Sequence, residues 1–155
     1  MPNTYAQLYI HLVFAVKSRQ SQIPREHKVA LQKYITGIVK NKKHKLIAIE
    51  NEPDHMHILV GLKPDQSISD LVKDMKTGSS LWLNEQSWMV HHFNWQEGFG
   101  AFSYSRSQLD TVIAYIRNQE AHHKRQTFRE EYIAMLKAFG IEYDERFLFE
   151  FIDVQ

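Results

Sequence analysis

Cysteine is absent from the 155-residue chain, which excludes a disulfide framework, a thiolate zinc site and a cysteine nucleophile. Only four prolines and six glycines occur, against 43% hydrophobic and 24% charged residues. Collagen-like, low-complexity and disordered chains do not have that balance. No uncharged apolar run approaches the roughly 20 residues that cross a bilayer, and the opening MPNTYAQLYIHLVF carries no basic leader of the kind that starts a signal peptide. The expectation is one compact intracellular domain. An excess of one charge is missing as well, since 19 basic residues face 18 acidic ones. The distribution is uneven, however. Residues 1–128 hold 16 basic and 11 acidic side chains, whereas residues 129–155 hold 3 and 7, so a modestly electropositive body precedes an acidic, apolar tail.

Hydropathy periods mark the elements. Tyr5 to Val16, YAQLYIHLVFAV, mixes β-branched and aromatic residues and predicts a buried strand. Pro24 opens a predicted helix over 24–41, with Val29, Leu31, Tyr34, Ile35 and Ile38 near helical spacing. HKLIAIEN and HMHILVGL, separated by Glu52, Pro53 and Asp54, predict a hairpin. Ser67, with Asp70 three residues on, is the expected N-cap of a second helix. Gly78 weakens that helix, as a close approach of backbones or ordinary packing would require. A loop then enters a strand near 99–104, Ser105 or Ser107 starts a helix over 107–124, and FREEYIAMLKAFG predicts a last helix ending at Gly140. Strand, helix, strand, strand, helix, strand is the order of a ferredoxin-like (RRM-like) α+β fold: four antiparallel strands, two helices on one face, and here two further C-terminal helices. Such a fold hosts many functions and decides none.

Two short motifs carry chemistry. In Asp54-His55-Met56-His57 the alternation of a strand projects both imidazoles to one face and Met56 and Ile58 to the other. That pair can share a divalent metal; equally, one ring bonds a carbonyl and the other faces solvent. In Tyr115-Ile116-Arg117-Asn118-Gln119, Tyr115 and Gln119 stand one helical turn apart, with His122 and His123 continuing near that stripe. A tyrosine beside a metal-bound phosphate can serve as a covalent nucleophile, and a carboxamide oxygen can complete a metal shell. Val112, Ile113, Tyr115 and Ile116 are also plausible core positions.

The ordered set HLVFAVKSR, PDHMHILV, SISDLVKDMKTGSSLWLN, WQEGFGAFSYS and AYIRNQEAHH resembles the HUH single-tyrosine transposases of the IS200/IS605 type, including those associated with repetitive palindromic elements. The resemblance covers most of the chain. It implies that His55, His57 and Gln119 are metal ligands, for Mg2+ or Mn2+, and that Tyr115 is the catalytic nucleophile. Tyr115 would attack a phosphodiester in single-stranded DNA with hairpin ends, forming a 5′-phosphotyrosine and freeing a 3′-hydroxyl that enables strand transfer without ATP. It further implies a homodimer whose sites are completed in trans, a cytoplasmic location, nucleoid-associated when bound to DNA, and a catalytic domain over 1–128 with the 129–155 helix and tail packed on it.

Lys40, Lys42, Lys43 and Lys45 form the densest basic cluster, and Lys73, Lys76, Arg117, Lys124 and Arg125 are further candidates for phosphate contacts. A solvated turn is the competing reading of the lysine run. Trp82, Trp88, Phe93, Trp95, Phe99, Phe102 and Tyr104 offer stacking surfaces for unpaired bases or core and interface packing. Two other functions fit parts of the pattern. A noncatalytic ferredoxin-like single-stranded nucleic-acid-binding protein leaves the coincidence of His55, His57, Tyr115 and Gln119 accidental, and a metal hydrolase would use water in place of Tyr115. A histidine-triad hydrolase is disfavoured because residue 59 is Leu.

Overall fold

The computed structural model describes residues 3–152. Four strands, β1 (Tyr9–Ala15), β2 (Lys45–Glu52), β3 (His55–Gly61) and β4 (Gly100–Tyr104), form one antiparallel sheet in the order β2-β3-β1-β4. Helices α1 (Lys28–Asn41) and α2 (Ile68–Asn84) fill the connections. This is the expected ferredoxin-like arrangement.

The sheet is sorted by the alternation of its strands. On β3, Met56, Ile58 and Val60 join Leu12 and Phe14 of β1, Leu31 and Ile35 of α1, and Leu71 and Met75 of α2 in the principal core. The intervening residues face the opposite side, where Ala48 and Leu59 meet Val112 and Ile116 of α3 (Leu109–Arg117). Both faces are therefore covered, which explains why His55 to Val60 are all buried. A bulge between Leu46 and Ala48 lets the β2 edge follow β3 without moving the hairpin register, in which Glu52 pairs with His55.

Local chemistry accounts for the boundaries. The Ser67 side chain accepts from the Asp70 amide at 3.0 Å, as its N-cap assignment requires. The predicted first helix begins instead as a 3-10 turn over Arg25–His27, with regular α-helix only from Lys28. The first strand is shorter than its apolar run, and the hairpin turn is the two residues Pro53 and Asp54, Glu52 belonging to β2. The predicted helix over 107–124 is broken. Ser105 and Gln108 form a capping box before α3, and Asn118, at φ −99° and ψ 25°, separates α3 from the short α4 (Gln119–His122). α5 (Phe128–Ala138) starts at a capping box between Thr127 and Glu130, and Gly140 follows it at φ +65°.

The C-terminal segment is joined to the body. Phe128, Tyr132, Leu136 and Phe149 belong to the principal core, and Gln96 exchanges two hydrogen bonds with the Glu150 backbone, at 2.6 and 2.7 Å. An end of the catalytic region at residue 128 would fall at the first residue of α5. Residues 153–155 of the acidic tail, and residues 1 and 2, lie outside the described residues. None of the described helices is long and apolar enough to cross a membrane.

Two glycines mark close approaches of different stiffness. A Cβ on Gly78 would meet the Ile38 Cδ1 tip at 2.8 Å, whereas one on Gly100 would meet the Tyr132 ring and hydroxyl at 2.8 Å and Phe102 at 3.0 Å. Gly78→Ala gains about 1 kcal/mol of helix propensity against a similar rotamer cost of about 0.5–1.5 kcal/mol at Ile38, so its urea midpoint should stay near wild type. Gly100→Ala pushes on rigid rings and should cost about 1–3 kcal/mol. A larger loss at Gly78 than at Gly100 would refute this ranking.

Candidate active site

β3 presents His55 and His57 on the face that carries α3, both fully buried. Each ring is held by its Nδ1 side: His55 Nδ1 lies 2.6 Å from Asp54 Oδ1, and His57 Nδ1 lies 2.8 Å from His11 Nε2. The Phe128 ring stacks flat on His55, centroids 3.9 Å apart. Both Nε2 atoms are thereby turned toward one point. There α5 places Glu131, whose side chain is 1% exposed. Glu131 Oε1 lies 3.2 Å from His57 Nε2, 3.5 Å from His55 Nε2 and 3.2 Å from His123 Nε2. Its Oε2 accepts from the Tyr115 hydroxyl and, at 3.1 Å, from Gln119 Nε2.

The break at Asn118 turns α4 so that Gln119 is fully buried, with Oε1 at 3.3 Å from His55 Nε2 and 3.0 Å from His123 Nε2. The sequence motifs are thus joined: His55, His57, Tyr115 and Gln119 converge within one chain. Glu131 and His11 are absent from the set expected from sequence, and His123 was noted there only as lying near the Tyr115–Gln119 stripe. The signal for Glu131 was the helical period: Phe128, Glu131, Tyr132 and Leu136 stand at i, i+3, i+4 and i+8, the buried stripe of α5, so that Glu131 lies on the apolar face.

The electrostatics follow from burial of these partners. Desolvation alone would raise the Glu131 carboxyl, but the charge of His57 and hydrogen bonds from His123, His55 and His57 hold it far below the usual carboxylate range. Burial opposes charge on His55, yet Asp54 and Glu131 together lift it to about 9. Burial outweighs Glu131 at His57 and lowers it. The Tyr115 phenol is pushed well above its ordinary value by burial and by the adjacent Glu131 charge. It keeps its proton at neutral pH unless a base and a cation act on it.

One nitrogen from each of His55 and His57 and a carboxylate oxygen of Glu131 lie within 4.8 Å of one another, all three residues buried. This group could bind a metal ion. Two imidazoles and a carboxylate fit a divalent cation, and the carboxamide oxygen of Gln119 faces the same point. The carboxylate supplies an anionic oxygen donor, which magnesium and manganese prefer and which a His-His-Gln set lacks.

The basic candidates are dispersed. Arg117, Lys124 and Arg125 are exposed and flank the residues of this centre in the chain. The 40–45 cluster lies at the far end of β3, where Lys45 pairs with Gly61; six residues of strand put it roughly 20 Å from His55. Lys42 is paired with Asp74, while Lys40, Lys43 and Lys45 are exposed. Lys73 is exposed on α2, on the other side of the sheet, and the Lys76 ammonium donates to the carbonyls of Gln96 and Gly98 at 2.7 and 2.6 Å. Phe93, Trp95 and Phe102 are core residues; Trp82 and Trp88 stack on Tyr34 and His27.

α3 lies on its own sheet through Val112 and Ile116, and this packing delivers Tyr115 to Glu131 and, at a ring-centroid distance of 6.2 Å, to His57 of the same chain. The apolar face of α3 finishes an intramolecular core.

Fold and site together define a ferredoxin-like domain with a tyrosine beside a histidine-carboxylate centre. The family described as "Transposase IS200 like" matches residues 4–119. The ISDra2 transposase TnpA of Deinococcus radiodurans is 34% identical over 120 residues, 73% of this chain and 84% of that protein. The transposase for insertion sequence element IS200 of Salmonella typhimurium is 32% identical over 76 residues, 49% of this chain and 50% of that protein. Among solved structures, a Deinococcus radiodurans protein described as a transposase superposes with a TM-score of 0.56 at 26% identity, covering 76% of this chain and 94% of its own. A REP-associated tyrosine transposase bound to a REP hairpin gives 0.60 at 17% identity, covering 78% and 72%; at that identity the likeness is one of fold. The chain belongs to the IS200-like, single-tyrosine transposase family. Glu131 lies beyond the matched residues.

The raised His55 predicts a pH dependence. Protonated His55 in the ion-free protein contributes stability that is fully present below pH 6.5 and is lost as pH rises through about 9. His11 and His57, lowered by burial, act in the opposite sense and only below 6.5. The difference in urea-unfolding free energy between wild type and His55→Asn should therefore shrink between pH 6.5 and 9; a constant difference would show that His55 is not charged in the folded state.

Proposed function

We propose that this chain is a divalent-metal-dependent single-stranded DNA transposase that cleaves and rejoins hairpin-bearing ends through a 5′-phosphotyrosine on Tyr115. The observation that carries this reading is the hydrogen bond of the Tyr115 hydroxyl to Glu131, the same carboxylate that meets His57. A nucleophile, its hydrogen-bond acceptor and a metal-ligating group thus share one buried point. Membership of the family supports a DNA-cleaving and strand-transferring enzyme, and a fold neighbour that binds a REP hairpin supports folded single strands as the substrate class.

His55, His57 and Glu131 would hold Mg2+ or Mn2+, with the Gln119 oxygen as a further ligand. When bound, the cation polarises a nonbridging phosphate oxygen and offsets charge developing in the transition state. Glu131 Oε2 accepts the hydrogen bond of the Tyr115 hydroxyl and orients it; as the phenol proton passes to solvent the Tyr115 oxygen forms the bond to phosphorus, the bond to the 3′-oxygen breaks, and that oxygen takes a proton from solvent to leave as a hydroxyl. A 3′-hydroxyl from another end reverses the sequence, expelling Tyr115 and recovering the proton from solvent. Arg117, Lys124 and Arg125, exposed and close in sequence to Tyr115, Gln119 and His123, would bind phosphates, and the exposed Lys40, Lys43 and Lys45 a duplex stem farther away. The convergence of Tyr115, Gln119, His55, His57 and Glu131 within one chain supports cleavage by a site completed in cis. Residues 129–152 are part of the catalytic unit on this reading, because α5 brings Glu131.

Incubation with labelled hairpin DNA from the gene's flanks, with manganese or chelator, should give a metal-dependent covalent band on a denaturing gel that Tyr115→Phe abolishes. Cleavage surviving in Tyr115→Phe would indicate a water nucleophile, and hairpin binding without any adduct a noncatalytic binding protein. Glu131→Gln, which keeps the shape but loses the charge, should slow adduct formation by about 100-fold or more. Equal rates would remove Glu131 from the chemistry.

A further inference from the structure

His11 is a buried histidine beside the centre that the proposed chemistry leaves without a role. It lies on β1, is fully buried, and stacks with His57 at a ring-centroid distance of 5.0 Å. Its other ring neighbours are Phe102 and Tyr104. Its Nε2 lies 2.8 Å from His57 Nδ1, while its own Nδ1 is buried with no hydrogen-bond partner. In an aromatic setting of this kind phenylalanine would pack without stranding a polar atom, since a buried, unpartnered polar group is unfavourable. The polar ring therefore calls for a role through the one partner it has.

We propose that His11 is a positioning residue that supports a change of tautomer at His57: in the ion-free protein His57 Nε2 donates to Glu131, and when a divalent cation takes Nε2 the proton moves to Nδ1, where His11 Nε2 accepts it. The proposal rests on the metal reading given above. A neutral imidazole carries one proton, and it can ligate only through the nitrogen that lacks it. The nitrogen of His57 that faces Glu131 and the Tyr115 centre is Nε2, so in the ligating form the proton sits on Nδ1. The acceptor on that side is His11 Nε2. His11 must then carry its own proton on Nδ1, which is the atom left without a partner. His55 has the same arrangement in a different material: Asp54 Oδ1 receives its Nδ1 at 2.6 Å. The two ligands are thus oriented from behind by unlike acceptors, a carboxylate for His55 and a neutral imidazole for His57. With a carboxylate behind each ring, two charges besides Glu131 would be buried around the centre; the neutral acceptor avoids the second.

The test uses the full chain and manganese chloride as the probe, with free Mn2+ read by electron paramagnetic resonance and apo thermal midpoints recorded for every variant. His11→Phe keeps the packing and removes the acceptor, and should weaken Mn2+ affinity by about 10–100-fold, the usual effect of losing a group that orients a metal ligand, with the apo midpoint at or above wild type. His11→Gln, whose carboxamide oxygen reaches the position of the lost Nε2, should recover affinity to within a few-fold. In long-range nitrogen-proton NMR spectra of wild type loaded with Mg2+, His57 should be protonated at Nδ1. Wild-type affinity in His11→Phe, or His57 protonated at Nε2 in the loaded protein, overturns the proposal; so does a His11→Gln no better than His11→Phe. The NMR arm decides the matter on wild type should either variant fail to fold. Wild type that binds no Mn2+, like a His57→Ala control, overturns the metal reading itself, and His11 loses this role with it.

Discussion

A carboxylate buried as deeply as Glu131 has to be surrounded by donors, because leaving its charge unpaired in a desolvated interior costs several kcal/mol. Much of the site can be read from that requirement. His57, His123, Gln119 and Tyr115 all direct a polar hydrogen or ring nitrogen at its two oxygens. They come from a strand, two short helices and the turn that follows them, and α5 holds the carboxylate in their midst. A network of this kind adds little net stability over an apolar core of equal volume. The same His55, His57 and Glu131 group could bind a metal ion, which would use the directions that the protein donors take here.

The same requirement ties the two faces of the sheet together. Met56 and Ile58 must enter the α1/α2 core for His55 and His57 to face α3, and a slip of one residue in the β1–β3 register would reverse both. Val13 opposite His57 and Ala15 opposite His55 keep that register. Packing of Val112 and Ile116 on Ala48 and Leu59 then determines where Tyr115 arrives. Tyr132 against Gly100 seats α5 beside β4, one residue from Glu131. The reactive groups are therefore held by ordinary apolar contacts one step away from them.

The order of elements, the hairpin and the orientation of the histidine pair were legible because each is a local property. Alternation over HMHILVGL, the Ser67 cap, the proline turn and the 3.6-residue stripe of α1 need no knowledge of the rest of the chain. The break at Asn118 was not legible, since 107–124 reads as continuous helix; the buried place of Gln119, bonded to Glu131 and His123, accompanies the turn. The lysines show the same limit. Lys76 has a sequence environment like that of Lys73, yet one ammonium is bonded to two carbonyls and the other side chain is exposed.

By itself the sequence determined the fold class, the family resemblance and four members of the candidate site, His55, His57, Tyr115 and Gln119, because strand and helix periods assign side chains to faces and the resemblance singles these four out. Tertiary structure alone decided that Tyr115 stands beside Glu131 in the same chain, that Glu131 and not only Gln119 faces the histidines, and that His11 backs His57. Those pairings join residues 16 to 74 positions apart. Contacts at such separation are set by how layers pack, and no local period records them.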